Sequence, residues 1–324
     1  MNQKPFKTHN QQLVILRNRG LIVPSEAKRS LEQIGYYSII NGYKWLFLQR
    51  DSNGNVIHPE KYITGAQFSD IQNLYDFDDE LRSILYNSLL KYESILGAEL
   101  SYRFSEAHEE EHAYLAMDNF DRNPKNMATV VRTISSLSNT LKKESGKRDS
   151  NAIKHYVNQH GHVPLWVLVN FLTFGDLNYF YKNMTRDTKI QVAKDFTLLK
   201  KRTYHLKQQH AITPDIIESI NHLVNHFRNA VAHGEITFSK KINKPSVLTS
   251  FKTVLNEPNL KFSSQAGVFE LIISLKIVLP KKEYSKLSRK IKGLLNEYQN
   301  KFSSVPFSAV LQDMNFPKQY ALYI

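Results

Sequence analysis

Close to residue 230 the chain groups side chains that together can break a phosphodiester. Arg228, Asn229 and His233 lie within six residues, and Asn225 and His226 come just before them. An imidazole gains and loses a proton near neutral pH, and a guanidinium can hold a phosphate through two parallel hydrogen bonds. With RNA, whose 2′-hydroxyl is an internal nucleophile, these groups suffice for cleavage without a metal. In that chemistry His233 is the general acid or base and Arg228 offsets the charge that builds on the phosphate. Asn229 orients the phosphate or His233, with His226 and Asn225 as candidate assistants. No cofactor and no metal ligand is expected.

Such groups need a rigid element, and the sequence from Thr213 to Gly234 describes one. Thr213 suits an N-cap, Pro214 the first helical position, Asp215 and Glu218 the positive end of the dipole, and Gly234 a left-handed stop. At about 100° per residue, Ile216, Ile217, Ile220, Leu223, Val224, Phe227 and Val231 fall within about 60° of one line and predict a buried stripe. His222, Asn225, His226, Asn229 and His233 lie opposite. A solvated surface is the plain reading of a polar face. Solvated faces, however, favour Lys, Glu, Arg and Gln, whereas Asn and His form helices less well, so their clustering suggests a site or an interface.

Arg228 stands near the border, about 80° from the stripe centre. It must curl round the helix or serve a site completed by another surface. A twofold pairing of this helix in a homodimer would make the two polar faces one cationic cleft.

Other candidate sites are weaker. His108 and His112 bracket three glutamates without a third ligand, and a solvated loop explains them. Asp76, Asp78, Asp79 and Glu80 read as dipole-complementing residues near a helix start rather than a magnesium site. Arg82 and Glu93 read as members of a buried or interhelical ion pair. Two basic patches could track an RNA backbone or simply be solvated: Lys200, Lys201 and Arg202, and Lys281, Lys282, Lys286, Arg289 and Lys290. There is no phosphate-binding loop of the G-x-x-x-x-G-K-[ST] type, which disfavours a nucleotide-binding protein.

The wider composition agrees. A length of 324 residues supports a substantial core, and zero cysteines exclude disulfides and thiolate chemistry and fit a reducing cytosol. The net charge of +13 favours polyanionic partners. The opening residues lack a signal-like apolar run, and the apolar stretches 163–174 and 269–279 are too short to span a membrane, so a cytoplasmic protein is expected. Few glycines and prolines favour an all-α fold, with helices predicted over 24–34, 69–106, 127–142, 151–158, 165–183, 188–195 and 284–302. A β-ribbon is considered within 53–63 or 235–255. Segments 135–151 and 236–265, the latter interrupted by Pro245 and Pro258, read as mobile or RNA-facing loops.

Arg228-Asn229-Ala230-Val231-Ala232-His233 is similar to the R-N-x-x-x-H signature of HEPN ribonucleases. The segments 34–43 (IGYYSIINGY), 75–82 (YDFDDELR), 163–169 (VPLWVLV) and 174–177 (FGDL) resemble, in order and spacing, the AbiD/AbiF-type abortive-infection family. The resemblance covers residues 5–235. Beyond it the family often adds a second His and an Arg/Asn pair, where this chain reads Gly234-Glu235-Ile236-Thr237-Phe238. It implies a HEPN-type bundle with additional amino- and carboxy-terminal helices; composition shows no clean boundary, and a working division takes an amino-terminal portion over 1–125, a catalytic portion over 126–235 and a basic extension over 236–324. It also implies a homodimer through the signature helix and a toxin that halts growth on phage infection. That toxin would cleave RNA to a cyclic phosphate and a 5′-hydroxyl, with a small noncoding RNA as regulator in some relatives. The alternative is a non-catalytic RNA-binding module in a ribonucleoprotein complex.

Overall fold

Thr8 caps the first helix, α1 (His9–Asn18), in a reciprocal box: its hydroxyl accepts from the Gln11 amide while the Gln11 side chain accepts from the Thr8 amide. Periodicity did not single this helix out. The computed structural model of the chain describes residues 5–243 and 248–324, so Pro245 lies outside the described residues. After α2 (Ala27–Ile34) comes a single π-type turn, Tyr37–Asn41. The apolar repeat that follows folds as one helix, α3 (Phe68–Ala107), whose 40 residues span about 60 Å at 1.5 Å per residue.

The chain continues through α4 (Met127–Ser145), α5 (Ala152–His160), α6 (Leu165–Leu168), α7 (Phe174–Asn183), α8 (Arg186–Thr203) and α9 (Pro214–Ala232). It closes with α10 (Ser250–Leu255), α11 (Val268–Val278), α12 (Lys281–Tyr298) and α13 (Phe307–Asp313). Strands β1 (Ile242–Asn243) and β2 (Gln265–Ala266) form a small antiparallel pair. The all-α expectation therefore holds. The ribbon begins within 235–255 but takes its second strand from outside that window. Region 48–62 carries only isolated bridges, Leu48 to Tyr62 and Arg50 to Val56.

Three expectations change: within the loop expected over 236–265, α10 forms and buries Phe251 and Val254. The stretch expected as one helix over 165–183 is broken at Leu172, because Thr173 caps a new helix: its hydroxyl accepts from the Asp176 amide and its amide donates to the Asp176 carboxylate. Much of the loop expected over 135–151 is helix, since α4 runs to Ser145 and buries Leu137 and Glu144. Ser and Lys there occupy a helix surface rather than a loop.

α3 is the spine. It packs against α6, α7, α8, α9 and α12, and α9 is further enclosed by α7, α8 and α11. α11 is apolar nearly all round, as suits a helix sealed in the core, with Phe269, Leu271, Ile272, Ile273 and Leu275 fully buried. Among the described residues, no helix is long and apolar enough to cross a membrane.

Candidate active site

Both ends of α9 form as its sequence predicts. Thr213 Oγ1 accepts from the Ile216 amide at 3.4 Å. At the other end the Glu235 amide donates to the Ala230 carbonyl at 2.9 Å and the Gly234 amide to the Val231 carbonyl at 3.3 Å, with Gly234 at φ 67°. These paired bonds close the helix and place His233 on its cap. The predicted stripe is buried throughout, and Asn221 is buried with it, its Oδ1 accepting from the Tyr92 hydroxyl of α3 at 2.7 Å. Tyr181 of α7 donates to the Pro214 carbonyl at 3.1 Å and ties down the start of the helix.

On the opposite face His222, His226, Asn229 and His233 are exposed and Asn225 is half-buried. The imidazoles of His222 and His226 meet edge to face, with centroids 4.7 Å apart. Partial desolvation, then His222 and Lys240, lower the His226 pKa below the ordinary imidazole range. Asn225 Oδ1 is buried without a hydrogen-bond partner, near the start of α7 at Gly175.

Arg228 is drawn toward α3 instead of curling onto the polar face. Its Nε donates to Glu93 Oε2 at 3.3 Å, and both side chains are half-buried. Glu93 was recognisable as an ion-pair residue, but its partner was not. Arg82 belongs to a separate group, pairing with Asp78 at 2.6 Å and Asp79 at 2.8 Å.

The acidic run lies not at a helix start but two turns and more inside α3, where Asp78 is fully buried. One Asp78 carboxylate accepts from the Tyr43 hydroxyl, Arg82, the Thr237 amide at 3.0 Å and the Phe238 amide at 2.6 Å. Burial pushes this carboxyl up in pKa, and Arg82 and the surrounding donors oppose that shift. Asp78 thus latches the segment that leaves His233 to the spine helix. Sequence reasoning missed this role, because an aspartate that binds distant backbone amides carries no local spacing signal.

The basic patches separate. Lys201 and Arg202 are exposed, as are Lys281, Lys282, Lys286, Arg289 and Lys290 on α12. Lys200 is not available to RNA. It is buried, donating to the Lys276 carbonyl at 2.9 Å and lying over the Tyr204 ring, and burial followed by Lys276 pushes its pKa down to about 7. A signal for this existed: Lys200 falls one turn after Phe196 and two after Val192, on the buried face of α8. His112 accepts from the Val163 amide at 3.3 Å, consistent with a structural histidine. Among the described residues, no three His, Cys, Asp or Glu side chains gather to hold a metal ion.

A cleft of about 1080 Å³ opens beside the end of α9, between the 37–41 turn, α3 and residues 231–236. Ala232 and Gly234, on either side of His233, both line it.

The model of a family described as Abi-like protein matches residues 29–239, which takes in the turn, α3, α9 and the Asp78 latch. No curated protein and no solved structure matches the chain.

Proposed function

Since the chain belongs to the Abi-like protein family, we propose that it is a metal-independent endoribonuclease of the HEPN type that acts in abortive infection. The observation that carries this reading is the arrangement at the end of α9. His233 and Asn229 are exposed one turn apart, and Arg228 is held at their border by Glu93.

In the proposed reaction a 2′-hydroxyl of the RNA attacks the adjacent phosphorus. One imidazole takes the hydroxyl proton, the bond from phosphorus to the 5′-oxygen breaks, and the departing oxygen takes a proton from an acid. The products are a 2′,3′-cyclic phosphate and a 5′-hydroxyl. Arg228 bears on the non-bridging oxygens, whose charge increases as attack proceeds, and Asn229 orients the phosphate. Two copies joined through α9 supply a second His233, so that one imidazole can be base and the other acid. A cognate noncoding RNA on the exposed basic surfaces is a fitting regulator for a toxin of this kind.

The test is incubation of the purified protein with RNA in EDTA, followed by sequencing of the ends. Wild type is expected to leave cyclic phosphates and 5′-hydroxyls, and His233→Ala to leave the RNA intact while keeping its fold. Wild-type protein inert on every RNA tried, with cellular toxicity unchanged by His233→Ala, would leave a binding module as the better account.

A further inference from the structure

The cleft beside His233 is built differently from a phosphate site. Its walls are aromatic and amide-bearing. Tyr37 is 78% exposed and Tyr86 36% exposed, while Gln33, Ser38 and Asn41 present exposed amide and hydroxyl groups on the rim. The charged groups that reach it are already paired: Arg82 with Asp78 and Asp79, and Glu235 with Lys240 at 2.9 Å. Its shape is held by close packing, since a Cβ on Gly42 would stand 3.3 Å from Ile236 Cδ1. Such a surface suits a flat, uncharged group with hydrogen-bonding edges.

Resting on the ribonuclease reading above, we infer that this cleft receives an unpaired nucleobase of single-stranded RNA, stacked on Tyr37 and Tyr86, from a nucleotide next to the phosphate presented to His233. The adjacency is covalent, because the residues on either side of His233 line the cleft. The division of labour follows from charge: Arg228 and His233 meet the phosphate, and the tyrosines meet the base. A duplex keeps its bases stacked inside and its deep groove closed to side chains, whereas splayed single-stranded bases can lie on aromatic rings. The cleft therefore selects for unpaired RNA.

The test uses the full-length His233→Ala protein, so that binding is measured without cleavage. An RNA oligonucleotide carrying 2-aminopurine is titrated as a single strand and as a duplex. The same titration is made with Tyr37→Ala, Tyr86→Ala and Tyr37→Trp added. Stacking predicts that the single strand binds more tightly and that its fluorescence is quenched. Each alanine should weaken binding roughly five- to a hundredfold, and Tyr37→Trp should preserve it. Both tyrosines are exposed, so the variants should fold, which circular dichroism checks. Equal affinity of Tyr37→Ala and its parent, or equal binding of single strand and duplex, overturns the inference, as does a protein that binds no RNA. Cleavage by the wild type is scored separately. A wild type that cleaves while Tyr37→Ala binds and cleaves alike loses the base site and keeps the ribonuclease. A wild type that never cleaves but shows tyrosine-dependent single-strand binding keeps the base site and loses the reaction.

Discussion

Arg228, at the border of the polar face on a helical wheel, finds its partner on another helix. From the edge of α9 it meets Glu93 on α3, and this partly buried pair limits the rotamers of the guanidinium. If Arg228 acts on the phosphate as proposed, Glu93→Gln, which keeps the shape and removes the charge, should leave a correctly folded protein whose RNA cleavage falls about tenfold or more, as expected for a misplaced catalytic group. Initial rates on one defined RNA decide it, and an unchanged rate means that Glu93 does not position Arg228. The histidine pair yields a second prediction. His226 titrates below the ordinary imidazole range, so the stability of a fold holding it neutral is present above the unfolded pKa and is lost as pH falls through the lowered folded one. His222→Ala removes one opposing cation and should move the His226 midpoint upward in an NMR titration. No movement would mean that the edge-to-face contact carries no electrostatic coupling.

At the scale of elements, α9 is placed by contacts along its whole length, and the segment after it is held both by burial of Phe238 against Tyr43 and Trp45 and by one carboxylate. Asp78 joins α3 to Thr237 and Phe238 and so fixes the path of the chain away from His233. Replacing it with alanine leaves Arg82 buried without its main partner and two amides unsatisfied. Breaking a buried pair in this way costs about 3–5 kcal/mol. We expect Asp78→Ala to lower the melting temperature sharply and to speed hydrogen exchange at the Thr237 and Phe238 amides before any change at the amides of α3. Protection unchanged at those two amides would show that the latch is redundant.

For the whole molecule, the net charge of +13 favours polyanionic partners, and α9 and α12 present exposed polar and basic faces. If the reaction needs the imidazoles of two copies, sedimentation should show a dimer. Specific cleavage activity should then fall on dilution through its dissociation constant, because mass action removes half of each site. A monomer whose specific activity is independent of concentration would show that one copy of α9 is enough.

The sequence alone determined those features whose signals are local. α9 was legible at both ends because its caps and its 3.6-residue period lie within one stretch of chain, and the polar face followed from the same period. The break before α7 and the whole of α1 were legible in principle, as Thr173 with Asp176 and Thr8 with Gln11 are capping boxes. Only the tertiary structure decided which charges meet. Glu93 lies 135 residues from Arg228, and Asp78 lies 159 residues from Thr237. Their pairing depends on which helices pack together, and one sequence carries no spacing rule for that. The same holds for the cleft beside His233, whose walls come from a turn, a spine helix and a helix terminus brought together by burial of the apolar stripes behind them.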